Sequence, residues 1–215
     1  MMEIAESFES NGYAIVDAVL SDGEISEIAR NLGEVTVGKA GTRNLLFFDW
    51  CAQLAQSLRQ NPLLAPLLPE LTAAVQCTYF PKSSDRNWLV ALHRDHSIPV
   101  KRPFDARGWH GWSKKEGIHY VRPPGSVLKA LVAVRLHLED NTEQNAPLAV
   151  VPGSHENHAA SGVRVNCLVP RGGVLIMRPL LLHASSKLAE GSRRVLHFLY
   201  GPRTLPDNAE WANAV

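Results

Sequence analysis

A succession of short apolar runs after residue 71 limits the fold more than any other feature of the sequence. The runs are rich in β-branched and aromatic residues and are separated by glycine, proline and asparagine. Runs of this kind are typical of β-strands. The predicted strands cover residues 71–80, 88–93, 127–138, 146–151, 164–169, 173–182 and 194–200. The first two are predicted to pair as a hairpin through the short turn between them.

The first 70 residues have a different pattern and are predicted to form a mainly helical scaffold. Ser21 and Glu24 have the spacing of a capping box, which predicts the start of a helix that ends near residue 32. Further helices are predicted over residues 49–60 and 63–68. A few helices followed by many strands favour a mainly β (α+β) fold, a jelly-roll or cupin-like barrel with the N-terminal helices packed on one face.

Length and composition favour one domain over residues 1–215, with the barrel spanning 71–202. The chain is 45% hydrophobic and has a formal net charge of +1, which argues against a general nucleic-acid or membrane-surface partner. The three cysteines, Cys51, Cys77 and Cys167, have no metal-ligand spacing and are predicted to be reduced thiols. The first residues show no signal-peptide pattern, and no run of eighteen apolar residues occurs, so we expect a cytoplasmic protein.

One predicted strand ends in a His-x-Asp pair that is suited to metal binding. Residues i and i+2 of a strand share a face, so the side chains of His93 and Asp95 should converge. An imidazole and a carboxylate suit iron, manganese or zinc, and a distant histidine would complete a facial triad. His183, at the end of another apolar run, is the candidate. His96 should face away from the metal, and the remaining histidines, among them His155 and His158, are expected to be structural or exposed.

Residues 97–126 form the most unusual segment of the chain. It contains four prolines and four glycines, has little periodicity, and begins two residues after Asp95. Long loops inside compact domains are often lids or binding loops, so we interpret it as a substrate lid. Six basic residues against two acidic ones give it a net charge of +4. A lid that contacts the substrate would therefore favour an anionic small molecule.

Arg194 opens the last apolar run and is predicted to be buried. A guanidinium stays charged and pairs well with a carboxylate in a bidentate arrangement, so a buried arginine needs an anionic partner. Its neighbour Arg193 would then lie on the opposite face of the strand and point to solvent.

Several motifs together resemble those of the phytanoyl-CoA dioxygenase family of Fe(II)- and 2-oxoglutarate-dependent oxygenases. They are His93-Arg-Asp95, residues 147–155 (PLAVVPGSH), and His183-Ala-Ser-Ser followed by Arg194. The resemblance extends to the N-terminal stretch 8–17. It implies a double-stranded β-helix in which His93, Asp95 and His183 bind iron and Arg194 holds the distal carboxylate of 2-oxoglutarate.

The resemblance also implies a reaction and further site residues. Fe(II), 2-oxoglutarate and O2 would yield succinate, CO2 and a hydroxylated small-molecule substrate. Ser185 matches a family position that assists in binding 2-oxoglutarate, and Cys77 and Tyr79 are weaker candidates for the co-substrate pocket. Halogenating relatives carry a small residue at the carboxylate ligand, so the presence of Asp95 favours hydroxylation.

Two other classes of function remain open from the sequence. One is a cupin-like metalloenzyme, such as an isomerase or a zinc hydrolase, that uses no 2-oxoglutarate and in which Arg194 forms a structural ion pair. The other is a binding or regulatory protein that keeps the barrel but has no turnover.

Overall fold

The computed structural model describes residues 2–38, 41–156 and 162–215, so His158 lies outside the described residues. The helices are α1 (Met2–Asn11), α2 (Asp22–Leu32), α3 (Asp49–Gln60) and α4 (Gly125–Lys129). The strands are β1 (Tyr13–Val16), β2 (Thr72–Lys82), β3 (Val90–His93), β4 (Ile98–Val100), β5 (His110–Lys115), β6 (Ile118–Arg122), β7 (Val132–His137), β8 (Leu148–Val150), β9 (Val165–Cys167), β10 (Val174–Met177), β11 (His183–Ser185) and β12 (Arg193–Pro202).

Two antiparallel sheets enclose the centre of the protein. The larger has the strand order β1-β10-β7-β12-β2, and the smaller has the order β3-β11-β8-β9. Side chains from both sheets line one cavity between them. The chain therefore has the predicted mainly β, jelly-roll architecture.

The N-terminal helices cover the outer face of the larger sheet. Side chains of α2 and α3 share one buried cluster with alternate residues of β2 and β12. Tyr200 of β12 also donates a hydrogen bond of 2.7 Å from its hydroxyl to the Ala55 carbonyl of α3. The capping box of Ser21 and Glu24 is present at the start of α2, and α3 has the predicted bounds. These two predictions are confirmed, whereas the helix predicted over residues 63–68 is only a 3-10 turn over Ala65–Leu67.

The strand pairing around the His-x-Asp motif differs from the sequence prediction. Residues 71–80 and 88–93 suggest a hairpin through the short turn between them, but β2 pairs with β12 and β3 pairs with β11 in the other sheet. The turn at residues 83–86 instead carries the chain from one sheet to the other. As a result, β3 and β11 are neighbours, and His93 lies opposite His183.

Residues 97–126 contain three ordered strands rather than forming one irregular loop. β4, β5 and β6 form a three-stranded antiparallel sheet of order β4-β6-β5. Its inner side packs on a second buried cluster that includes Ile98, Val121 and Trp211. The prolines and glycines of the segment lie mostly at its turns, which explains why the sequence shows little strand periodicity.

Within the described residues, none of the helices combines the length and the apolar character needed to cross a membrane.

Candidate active site

His93, Asp95 and His183 converge at one end of the cavity. One ligand atom from each lies within 4.8 Å of the others. The Nε2 atoms of His93 and His183 are 3.5 Å and 3.7 Å from the two carboxylate oxygens of Asp95. His93 ends β3 and His183 begins β11, and the Asp95 amide donates to the Pro179 carbonyl at 2.9 Å, which fixes the chain just after β3. The predicted triad is thus brought together.

Backbone hydrogen bonds orient both imidazoles for metal binding. Nδ1 of His93 lies 2.8 Å from the Ala91 carbonyl, and Nδ1 of His183 lies 2.8 Å from the Leu181 carbonyl. A carbonyl only accepts, so each Nδ1 carries the proton and each neutral ring presents the Nε2 lone pair to the common point. Hydrogen bonds of this kind hold the ligating histidines of metal sites in a single tautomer and orientation.

The protonation states also favour a cation at this point. Burial by itself would raise the pKa of Asp95, but the interaction with His93 outweighs it and holds that pKa well below its usual range. Burial lowers the pKa of His183. Only when it is also protonated at Nε2 can His93 donate a hydrogen bond to Asp95, and this hydrogen bond raises the pKa of His93, so protons compete with a metal for Nε2 in acid. An ionised carboxylate and neutral imidazoles are the ligand forms that a metal ion requires.

The cavity beside the triad has a volume of about 450 Å³. It lies between the two sheets, and the three-stranded sheet covers one side of its mouth. The lining residues that belong to the larger sheet are Gln76, Thr78, Phe80, Arg135, Arg193, His197 and Leu199. Cavities of this size accommodate small molecules.

The orientation predicted for the two arginines at the start of β12 is wrong. Arg193 is 3% exposed and lines the cavity. Arg194 faces the other side of the strand, where its Nε donates to Glu139 at 2.8 Å. β12 is buried on both faces because helices cover one side and the smaller sheet covers the other, so apolar periodicity could not show which arginine points inward.

The alternation of side chains along β2, which pairs with β12, places Cys77 and Tyr79 on the face that points away from the cavity. Both are buried in the cluster that joins the larger sheet to the helices, whereas their neighbours Gln76 and Thr78 line the cavity. The prediction that Cys77 and Tyr79 face the co-substrate pocket is therefore wrong for the same reason as the arginine assignment. Alternation along β2 places every second side chain on each face, and polar residues mark the cavity face.

Ser185, which was predicted to assist co-substrate binding, lies at the centre of a buried basic cluster. Its hydroxyl accepts hydrogen bonds from Lys82 Nζ at 2.7 Å and from Arg193 Nη1 at 3.1 Å. Arg193 Nη1 also donates to the Ala146 carbonyl, while its Nε is buried without a hydrogen-bond partner among the described residues. This cluster presents positive charge and spare donors to one end of the cavity.

Lys82 provides a pH-dependent test of this cluster. Burial, with Arg193 and Arg135 nearby, lowers the pKa of Lys82 from its ordinary 10.5 to about 7. Below pH 7 the amine is charged in both folded and unfolded chains, and the folded protein bears the full cost of a buried cation. Between about pH 7 and 10.5 the unfolded chain binds more protons, so the folded protein gains stability as the pH rises. We expect this gain to disappear in Lys82→Met, as measured by chemical denaturation at pH 6 and pH 9.

The exposed lysine of β5, Lys114, is the control for this prediction. Lys114→Met should keep the same pH dependence as the wild-type protein. A stability difference between wild type and Lys82→Met that is the same at both pH values would contradict the prediction.

Most of the positive charge of residues 97–126 lies away from the cavity. Lys101 and Arg102 lie near Glu210 on the surface, at 2.7 Å and 3.8 Å. Among the six basic residues of the segment, Lys115 reaches the lining, where its Nζ lies 4.9 Å from the Tyr120 ring centroid. His96 also reaches the lining, contrary to its predicted outward orientation, but it is not among the residues that could hold the metal.

Sequence reasoning missed several of the residues that face the cavity. On β2 the lining residues Gln76 and Thr78 fall on alternate positions, and Lys82 lies on the same face beyond the lining. On β7 Arg135 lines the cavity, and His137, two positions on, shares its face without reaching the lining. Polar residues at a period of two inside an apolar strand indicate a polar interior face, and this signal could have identified the lining.

Comparisons with known proteins agree with the geometry. The phytanoyl-CoA dioxygenase (PhyH) family matches residues 8–195, although a sequence comparison with curated proteins finds no match. The fold is similar to that of SnoK, a non-haem alpha-ketoglutarate-dependent carbocyclase from nogalamycin biosynthesis, with 13% identity over 94% of this chain and 84% of that chain and a TM-score of 0.69.

Two further structures are similar at comparable distance. HygX from Streptomyces hygroscopicus, solved with nickel and 2-oxoglutarate bound, has 19% identity over 94% of this chain and 87% of that chain, with a TM-score of 0.64. EctD from S. alaskensis has 16% identity over 94% and 77% of the two chains, with a TM-score of 0.67. At these identities the likeness concerns the fold, but the family match covers most of the sequence. The chain therefore belongs to the phytanoyl-CoA dioxygenase family of non-haem Fe(II)- and 2-oxoglutarate-dependent enzymes.

Proposed function

We propose that this protein uses Fe(II), 2-oxoglutarate and O2 to hydroxylate a C–H bond of a small molecule, with release of succinate and CO2. The observation that carries the proposal is the convergence of the Nε2 lone pairs of His93 and His183 with the carboxylate of Asp95 at the edge of a cavity. Two imidazoles and one carboxylate form the donor set of non-haem Fe(II) oxygenases, and they leave the opposite face of the metal free.

The residues of the triad have defined tasks in this proposal. His93 and His183 donate neutral imidazole nitrogens, and Asp95 donates an oxygen and balances part of the metal charge. A bound iron ion supplies the activation of O2 that amino-acid side chains cannot provide. The half-exposed side chains of His93 and Asp95 face the cavity, so the co-substrate and the substrate can approach from that side.

Arg193 takes the role that the sequence suggested for Arg194. Its buried guanidinium forms no ion pair within the described part of the chain, and it lies beside the Ser185 hydroxyl. The distal carboxylate of 2-oxoglutarate would supply the missing negative charge through charge-assisted hydrogen bonds. Lys82, held at Ser185 and at the Ser186 carbonyl, adds positive potential behind that carboxylate.

The rest of the cavity is suited to a substrate rather than to a second cofactor. Phe80, Trp88, Leu131 and Leu148 give it apolar walls, which position a carbon skeleton and exclude water. Residues 97–126 would serve as the lid, because Ser97, Lys115 and Tyr120 reach the lining from that segment. Hydroxylation is favoured over halogenation because the carboxylate ligand, Asp95, is present.

The co-substrate-free metalloenzyme remains the second candidate because one of its expectations is met. Arg194 forms the structural ion pair with Glu139 that this alternative requires. A reaction without 2-oxoglutarate, however, leaves the buried charge of Arg193 without a partner, and uncompensated buried charges are costly. The 2-oxoglutarate-dependent reaction accounts for both arginines.

An anaerobic spectroscopic titration tests the proposal. Adding Fe(II) and then 2-oxoglutarate to the protein should produce the visible metal-to-ligand charge-transfer band of a chelated 2-oxo acid. Succinate, which lacks the keto group, should produce no such band under the same conditions. The absence of a band with 2-oxoglutarate, while Fe(II) binding is retained, would favour the co-substrate-free enzyme or a binding protein.

A further inference from the structure

A second buried guanidinium, that of Arg135, faces the same cavity from the middle of the larger sheet. Arg135 lies on β7, is 6% exposed and lines the cavity. Its Nη1 lies 3.0 Å from His197 Nδ1, and its Nε is buried without a hydrogen-bond partner among the described residues. No described carboxylate forms an ion pair with it, and the one carboxylate in the lining, Asp95, belongs to the triad. Arg135 therefore carries an unbalanced charge.

The contact with Arg135 also fixes the tautomer of His197. A guanidinium donates and cannot accept, so His197 Nδ1 is the acceptor and its Nε2 carries the ring proton. Burial lowers the pKa of His197 to about 3, so the ring is neutral. Arg135 and His197 are also Cα partners across β7 and β12. Together they form one rigid group with a charged guanidinium and a neutral N–H donor.

This group is separate from the cluster around Arg193. Arg193 and His197 are four residues apart on β12, which corresponds to about 13 Å of strand. Arg193 is held by Ser185 and Ala146 on the side of the smaller sheet, whereas Arg135 is held by His197 and lies over the Phe80 ring, 5.8 Å from its centroid. One carboxylate at Arg193 would leave Arg135 unpaired, and the other carboxylate of 2-oxoglutarate belongs at the metal.

We propose that Arg135 and His197 form a substrate-binding subsite that accepts a carboxylate group. The inference rests on the proposed function, because it assigns 2-oxoglutarate to Arg193 and the metal. One guanidinium charge balances one carboxylate charge, and a planar guanidinium matches the two oxygens of a carboxylate. The substrate is therefore a carboxylic acid whose acid group is held at Arg135 and whose reacting carbon lies toward the triad.

The subsite places the recognition of an anionic substrate on the cavity floor rather than on the lid. Arg135 is fixed by a strand at the centre of a sheet, so it can set the position of the substrate relative to the triad with little freedom. The basic residues of the lid lie mainly at the surface, so they do not offer this control.

Small carboxylates can probe the subsite before the substrate is identified. Anaerobic protein saturated with Fe(II) and 2-oxoglutarate is titrated calorimetrically with acetate and benzoate, and with acetamide and benzamide as neutral counterparts. Saturating 2-oxoglutarate occupies Arg193 and the metal, so the probes report on the other cations of the lining, and the Arg135 variants isolate the contribution of Arg135. We expect the carboxylates to bind and the amides not to bind. Arg135→Leu should weaken benzoate binding about tenfold or more, and Arg135→Lys should weaken it less because it keeps the charge.

Measuring the affinity of the Arg135→Leu variant for 2-oxoglutarate distinguishes a failure of this inference from a failure of the proposed function. That affinity should change by less than about threefold in Arg135→Leu, and an intact charge-transfer band would also show that the variant keeps a folded site. Arg178→Leu is the matched control, because Arg178 also lies over a phenylalanine ring, that of Phe8, but outside the cavity.

Three results would overturn the inference. The first is equal binding of benzoate and benzamide, or no binding of either carboxylate to the wild-type protein. The second is benzoate binding that is unchanged in Arg135→Leu. The third is a loss of 2-oxoglutarate affinity in Arg135→Leu as large as in Arg193→Leu, which would assign both guanidiniums to the co-substrate and leave the proposed function intact.

Discussion

Alanine at position 93, 95 or 183 is expected to abolish 2-oxoglutarate turnover in each of the three variants. Each side chain supplies one of three ligands, and the remaining two cannot hold the metal in a facial arrangement. Because even residues that only orient a ligand cost 10- to 100-fold in metal affinity, loss of a ligand itself should weaken Fe(II) binding on the order of a hundredfold or more. Metal content after dialysis and the charge-transfer band with 2-oxoglutarate measure the two effects.

The fold should respond differently to the three substitutions. The side chains of His93 and Asp95 are about 40% exposed, so their removal should leave the thermal stability nearly unchanged. His183 is buried, and its ring centroid lies 4.3 Å from that of His93, so its removal creates a small cavity and should lower the melting temperature. His110→Ala, at an exposed position on β5, is the control and should keep both metal and activity. Full turnover in any of the three variants would exclude that residue from the metal site.

The sequence was sufficient to single out His93, Asp95 and His183 because each of these candidate ligands is recognised from a local pattern. His93 and Asp95 are two residues apart at the end of an apolar run, and His183 ends another, so strand periodicity and the family motif point to the same three positions. The capping box at Ser21 is equally local, and the helix that follows begins where it predicts. Features that depend on a few consecutive residues can be inferred from the sequence without knowledge of tertiary packing.

The orientation of the arginines at the other end of the cavity could not be inferred in the same way. Whether Arg193 or Arg194 faces the cavity depends on which side of β12 the helices cover, and both sides are apolar. A shift of one residue in register exchanges the two faces of a strand, and the error for Cys77 and Tyr79 on β2 follows from the same uncertainty. The pairing of β3 with β11 is likewise a long-range contact, which no pattern within residues 71–93 could indicate.

Leucine at position 193 is expected to raise the KM for 2-oxoglutarate by about a hundredfold or more while leaving Fe(II) affinity nearly unchanged. Removing one partner of a buried, hydrogen-bonded ion pair costs roughly 3–5 kcal/mol, and each 1.4 kcal/mol corresponds to a factor of ten in affinity. Arg193 would meet this condition once 2-oxoglutarate is bound, because it is 3% exposed and its Nε has no hydrogen-bond partner among the described residues. The Fe(II) ligands do not depend on it, so the metal should still bind.

Arg194→Leu is the matched control, since the two arginines are adjacent on β12 and face opposite sides. Arg194 pairs with Glu139 and is partly exposed, and exposed ion pairs contribute roughly 0–1 kcal/mol. Its removal should change stability slightly and leave the KM for 2-oxoglutarate unchanged. A large rise in KM with Arg194→Leu and none with Arg193→Leu would mean that Arg194, and not Arg193, faces the cavity. Equal and small changes in the KM for 2-oxoglutarate in both variants would mean that neither arginine of β12 binds 2-oxoglutarate. That result would favour the co-substrate-free enzyme.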